Sequence, residues 1–378
     1  MTIDERQHRV ARAARAAGGG WAILTDPNTV CYASGHEAPY ETGPSPFAGG
    51  PGTAFVAPDG VCHLLLTNNE PHTGPLDPRH VAVYEGFSAE RPLQGPPSYL
   101  AAARRLADEL GLSGTVAVEE GSFPAALGRA LESRIEGTVA IDDRLMRARM
   151  VKTDEEIAMI RRAAAATDAG QRAAVTAARA GRSELEVLAD VRCAIELAAG
   201  GRVAMVTEVS AGRERAAGVF DTPRPHVLAQ GDTVVVDLAP RVAGYWADSC
   251  NTLVVGGEPS PAVARLLAGA QAGIERAREA LRPGLTASAF DGLVRQAVVA
   301  GGGTDYGHHS GHSIGVAVHE NPRLVPGDHT VLEPGMVIMV EPATYERGVG
   351  GARHEWMFLL TETSNEVISS FEHVMAPA

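Results

Sequence analysis

Lysine is almost missing from this chain. Lys152 is the only one, and arginine carries the rest of the basic charge. With the excess of alanine and glycine, that pattern reads as codon bias and not as function. Positive charge is in deficit overall, at a formal net charge of -13, which argues against nucleic acid as a partner. Long apolar runs are missing too. None approaches the roughly 20 residues that span a bilayer. The first residues (MTIDERQHRVARAARAAGGG) hold no apolar core before a cleavage site, so they do not read as a secretory signal. Cysteine is sparse and scattered. Cys31, Cys62, Cys193 and Cys250 show no CxxC spacing, and they read as reduced thiols of a cytoplasmic protein.

What is present suits a globular protein. At 378 residues, 45% of them apolar, the chain can build two domains with separate cores. Residues 1–148 read as mixed α/β. A first helix has Thr2 as a possible cap and stops at Gly18–Gly20. Trp21–Leu24 reads as a strand, followed by a turn at Asp26-Pro27-Asn28. Thr53–Val56 and Val61–Leu66 form a hairpin about Pro58-Asp59-Gly60. Helices are expected over Tyr99–Leu110 and Pro124–Ile135, with a strand at Thr115–Val118. His36–Gly52, with Tyr40 and Phe47, is a Gly/Pro-rich loop, long enough to be functional or simply a surface loop.

A second domain, 149–378, opens with the capping box Thr153/Glu156 and a helix running to Gly181. Ser183/Glu186 is a second capping box, for a helix ending at Gly200-Gly201. Helices from Ser260-Pro261 to Leu281 and from Thr286 to Gly301 follow, and strands near Val337–Glu341 and Trp356–Thr361 close the chain. Two helices then strands, twice over, read as a weak duplication.

Between the helix pairs lies GDTVVVDLAPRVAGYWADSCNT, Gly231–Thr252. It reads as strand, turn, strand, with Asp237 and Asp248 aimed at one spot. Two buried like charges suppress each other's ionisation, and a cation between them removes that cost. Later segments add His308-His309-Ser310-Gly311-His312, His319, Glu341-Pro342 and Arg353-His354-Glu355. Carboxylates at strand ends with one imidazole suit a pair of divalent cations. Such a donor set favours Mn²⁺, Co²⁺, Zn²⁺ or Fe²⁺.

In this order the segments resemble the pita-bread metallohydrolases: methionine aminopeptidase, aminopeptidase P, prolidase and creatinase. The matching pattern is an Asp, a second Asp eleven on within a GY-containing turn, a His in an HGxGH-type motif, a Glu before Pro, and a late Glu after Arg. RMVKTDEEIAMIRRAA also resembles that family's R-x-x-K-x-x-x-E-I segment. The two-domain layout is similar to the aminopeptidase P, prolidase and creatinase branch. The resemblance implies a creatinase-like α/β N-terminal domain and a pita-bread α/β catalytic domain of duplicated ααββ units. It implies two divalent metals, Mn²⁺ foremost, held by Asp237, Asp248, His312, Glu341 and Glu355. In that scheme Asp237 holds one metal, Asp248 and Glu355 bridge both, and His312 and Glu341 complete the second. Glu341 is then the general base, His319 the stabiliser of the developing oxyanion, and His308 a lining residue. The branch also implies a homodimer.

The departures bear on substrate. Peptide-cleaving members carry a His about seventeen positions before the first Asp, where this chain has Phe220; His226 stands eleven before. Asn251 replaces an Arg of D-x-x-R-T, and His309 replaces a Gly. Phe220, His226 and Arg353 are therefore the candidate substrate contacts. The resemblance implies C–N hydrolysis, most simply of an Xaa-Pro peptide. The alternatives are a creatinase-like or ectoine-hydrolase-like enzyme on a small amide, a related lyase, or a peptide-binding module that has lost catalysis.

Overall fold

A computed structural model describes residues 4–39, 43 and 45–373 of the chain. Thr2 and Tyr40 lie outside these residues. The chain divides into two compact units, one of Met1–Arg149 with Thr153–Glu155, the other of Met150–Lys152 with Glu156–Ala378.

The first unit contains α1 (Asp4–Ala17), β1 (Trp21–Leu24), α2 (Pro27–Ser34), β2 (Thr53–Val56), β3 (Cys62–Thr67), β4 (Val81–Tyr84), α3 (Gly95–Glu109), β5 (Gly114–Val118), α4 (Ala125–Leu131), β6 (Ile135–Ala140) and α5 (Asp142–Met150). Its sheet has the order β4-β3-β2-β1-β5-β6. The hairpin is antiparallel, with Val56 opposite Cys62, while β1 runs parallel to β5. Ile23, Phe55, Leu65 and Val116 pack on Tyr99 and Leu106 of α3 to form the core.

Two expectations fail here for local reasons. Asp26-Pro27-Asn28 is not a simple turn; it starts α2. The Asp26 carboxylate accepts from Asn28 N at 2.8 Å, and Pro27 sits at the first helical position, where its missing N–H costs nothing. The helix expected over Pro124–Ile135 stops at Leu131, and the chain continues as β6 alongside β5. Thr138 and Val139, both β-branched, suit that strand.

The second unit contains α6 (Asp154–Ala177), α7 (Glu184–Ala199), β7 (Ala204–Ala211), β8 (Thr233–Val242), β9 (Tyr245–Trp246), β10 (Ser249–Val254), α8 (Pro261–Ala280), α9 (Ala287–Ala300), β11 (Gly311–Ser313), β12 (Glu320–Arg323), β13 (Val337–Val340), β14 (Ala343–Glu346), β15 (Gly350–Arg353), β16 (Trp356–Leu360) and β17 (Asn365–Val367). The Ser183/Glu186 capping box is present at α7. Sheets of order β10-β8-β7 and β12-β11-β13-β16-β17 follow the two helix pairs, and β14 pairs with β15. The duplicated helix-pair-then-strands order is thus realised. β7 was not anticipated. Its sequence AMVTEVSA carries an acid mid-strand, which breaks the apolar signal of a central element.

Candidate metal centre

β8 is the strand on which the site is built. Residues opposite each other in an antiparallel pair share a face. Asp237 lies opposite Glu208 of β7 on one side and Cys250 of β10 on the other. Asp248 just precedes β10, with the same parity as Cys250. A bridge between Cys250 and Glu355 brings in the lead of β16, with Glu355 N donating to Cys250 O at 2.9 Å. His312 sits on β11, opposite Met339 of β13. Glu341 follows β13, and its N–H donates to Ser310 O at 2.9 Å. This close pairing requires Gly311, whose φ is +153° and at which an added Cβ would stand 1.9 Å from Met339 O.

Asp248, His312 and Glu355 therefore meet, with one potential ligand atom from each inside 4.8 Å of the others; Asp237, Cys250 and Glu355 form a second such group. His312 Nε2 is 3.8 Å from Asp248 Oδ2 and 3.7 Å from Glu341 Oε1. Its Nδ1 lies 2.9 Å from Ser313 O. A carbonyl only accepts, so Nδ1 carries the proton and Nε2 turns a lone pair towards the acids.

The electrostatics are those of crowded acids. Burial, then the neighbouring Asp237 and Glu341, pushes Asp248 well above the usual carboxylate range. Burial, then Asp248 and Asp237, does the same to Glu355. Burial also raises Asp237, against the opposing pull of Arg353. Burial works against the Glu341 carboxylate as well, but the hydrogen bond from His309, with the other histidines around it, outweighs burial and holds Glu341 at about 2. Burial drives His312 down to about 3.

A divalent cation fits this donor set. Asp248 Oδ1 and Glu355 Oε2 are buried and find no hydrogen-bond partner among the described residues. Buried carboxylate oxygens without partners are costly, and metal coordination satisfies them. Four carboxylates and one imidazole lone pair are hard to borderline donors.

The second histidine, His319, lies edge-on to His312 with ring centroids 4.1 Å apart, and it is exposed. Its loop is anchored by the single lysine. Lys152 Nζ contacts Glu320 Oε2 at 2.7 Å, with side-chain exposures of 0% and 5%. His308 Nδ1 donates to His309 O at 2.7 Å. Its Nε2 then accepts from Tyr345 OH at 3.1 Å, so its tautomer is set as well.

The three candidate substrate residues fare differently. Phe220 lies on a segment tied to the buried charges of the site. Its neighbours Val219 and Asp221 are tied to Arg353 (O to Nη1, 3.0 Å) and Glu208 (N to Oε1, 3.2 Å), while the ring is 58% exposed. Arg353 is 3% exposed and is no substrate contact. Its guanidinium donates to Asp237 Oδ2 at 2.6 Å, to Tyr345 OH at 2.9 Å and to Glu208. It neutralises buried acids and positions Asp237 instead. His226 is not brought to the acids. Its Nε2 is 3.5 Å from where a Cβ on Gly212 would stand, beside Asp232. That is five residues, roughly 17 Å, along the strand direction from Asp237.

Reasoning on the sequence missed Glu208, Cys250 and Tyr345. The acid in AMVTEVSA was the one available signal for Glu208. Asn251, where an arginine was expected, is 1% exposed, and neither of its amide atoms has a partner among the described residues.

With this geometry in place, comparison with known proteins adds a family. Residues 158–362 match the profile of metallopeptidase family M24. An Xaa-Pro dipeptidase of Pyrococcus furiosus is 33% identical over 270 residues, covering 70% of this chain and 74% of that protein. Among solved structures, the prolidase from Pyrococcus furiosus superposes with a TM-score of 0.75 at 26% identity, over 93% of this chain and 97% of the other. The dipeptidase PepE of Mycobacterium ulcerans gives 0.76 at 27% identity, over 99% and 98%.

Proposed function

This chain belongs to metallopeptidase family M24, and from that premise we propose that it hydrolyses the C–N bond of short Xaa-Pro peptides. The observation that carries the reading is the meeting of Asp248, His312 and Glu355 around carboxylate oxygens that no donor among the described residues satisfies. Asp237, Asp248, His312, Glu341 and Glu355 would hold two divalent ions. Oxygen-rich donors with one nitrogen suit Mn²⁺ before Co²⁺, Zn²⁺ or Fe²⁺. Bound there, the ions supply Lewis acidity to a water nucleophile and to the scissile carbonyl.

The chain's own residues supply the rest. Glu341 accepts a proton from the attacking water and delivers one to the departing proline nitrogen, so water adds across the C–N bond as OH and H. His319, exposed beside His312, donates an N–H to the carbonyl oxygen as negative charge develops. His308, oriented by Tyr345 and the His309 carbonyl, lines the pocket. Arg353 holds Asp237 in place and opposes the rise that burial imposes on its carboxyl. Phe220, exposed and anchored on both sides, offers the substrate an apolar face. Four cysteines, all unpaired, support a cytoplasmic setting, and the two-domain branch supports a homodimer, which light scattering will report.

The exposed Phe220 also favours a second reading, a small non-peptide amide as substrate. A panel of Xaa-Pro dipeptides, creatine-like compounds and N-acyl amino acids, assayed on Mn²⁺-loaded protein, decides between them. Turnover of the dipeptides alone is expected. Turnover confined to the non-peptide amides overturns the peptidase reading.

A further inference from the structure

We propose that His309 and Arg323 form a positioning relay that holds Glu341, an inference that rests on Glu341 being a metal ligand. His309 Nε2 lies 2.7 Å from Glu341 Oε1. On the far side of the ring, Arg323 Nη2 lies 2.6 Å from His309 Nδ1. A guanidinium has only donors and does not lose its proton in proteins. His309 Nδ1 is therefore the acceptor. The proton of the neutral ring stands on Nε2 and is donated to Glu341. Strand pairing puts the arginine within reach, because Arg323 of β12 is opposite His312 of β11. Position 309 is the place where the HGxGH pattern has glycine, so this contact belongs to the present chain.

The tautomer decides between two uses of the ring. His309, His312 and His319 each offer a nitrogen within 4.8 Å of the others, a grouping that would suit a transition metal. Coordination through His309 Nε2 would need its lone pair while Arg323 occupies the other, which leaves only an imidazolate. His312 has the opposite arrangement, with its proton on Nδ1 towards Ser313 O and its Nε2 free. The neighbouring rings divide the work. His312 presents a lone pair, and His309 presents a proton that fastens one oxygen of Glu341. Partners that orient metal ligands in this way are each worth roughly 10- to 100-fold in metal affinity or activity.

Calorimetric titration of the metal-free protein with Mn²⁺, alongside kcat and KM on an Xaa-Pro dipeptide, tests the relay. His309→Gly should weaken one Mn²⁺ equivalent by roughly 10-fold or more and lower kcat more than KM changes. His309→Gln, whose amide N–H can occupy the place of Nε2, should restore most of both. Arg323→Met frees the ring to exchange tautomers and should fall between them. Equal losses in the Gly and Gln variants, or wild-type Mn²⁺ affinity in His309→Gly, overturns the relay. A drop from two bound equivalents to one in His309→Gln makes His309 a ligand and also overturns it. Glu341→Gln separates the two layers. Wild-type Mn²⁺ binding in that variant removes Glu341 from the metal site and the relay with it. Loss there without loss in His309→Gly removes the relay alone. Should His309→Gly fail to fold, the Gln and Met variants carry the test.

Discussion

Each unit buries acids beside its central strand, and the two treat them differently. In the first unit Glu119, 6% exposed, lies past the end of β1. Its Oε2 accepts from Thr25 N and Asp26 N, each at 3.1 Å. Burial raises its pKa while these hydrogen bonds oppose the rise. In the second unit Asp248 and Glu355 are as deeply buried, and each keeps an oxygen without a partner among the described residues. Their neighbours are other acids. The first arrangement is complete within the chain. The second is stable only to the extent that something from outside joins it. A buried carboxylate is thus no sign of function by itself; a buried carboxylate left unsatisfied among others is.

Opposite signs of mutational effect would sharpen that contrast. Asp248→Asn carries the largest effect. Losing a metal ligand forfeits several kcal/mol of transition-state stabilisation, so activity should fall by at least ~100-fold. In chelator the same change should raise the melting temperature at neutral pH, because it removes a mutual repulsion. The sign follows from linkage. A carboxyl whose folded-state pKa is raised gives stability that is present below its ordinary range and lost as pH rises through the raised value. The gain from Asp248→Asn should therefore shrink towards pH 4. Thermal melts in chelator at pH 4 and pH 8 measure it, and a variant less stable than wild type at both would break the contrast.

Glu119→Ala should act the other way. Two backbone N–H groups lose their acceptor, at a cost of about 2–3 kcal/mol, with Mn²⁺ affinity unchanged. Urea denaturation gives the first quantity and calorimetry the second. Asp26→Ala comes last. It removes the cap of α2 and should cost about 1 kcal/mol, readable in the same urea transition.

Periodicity and caps in the sequence already outlined β1, the β2–β3 hairpin, the helix pairs and the two strands bearing Asp237 and Asp248. Those features come from neighbours within a few positions, and side-chain spacing reports them directly. β6 and β7 escaped notice, because a short strand is stabilised by partners distant in sequence and its own residues hardly signal it. Arg353 illustrates the same limit at the site. It was a candidate substrate contact in the sequence, and only folding reveals that Asp237, Glu208 and Tyr345 occupy its donors. His226 is the converse, near Asp237 in number and set aside by the run of β8.

By itself, then, the sequence determined the duplicated order of elements, because residue type and spacing along single elements suffice for it, while the five candidate ligands came from the order of motifs that resembles a known family. Tertiary structure decided which nitrogen of His308, His309 and His312 bears the proton, which acids lack a partner among the described residues, and that His309 turns towards Glu341. The acid cluster depends on strand pairing across more than a hundred residues, as between Cys250 and Glu355, and the contacts of His309 on shorter-range pairing that brings Arg323 and Glu341 to it; no local pattern encodes either.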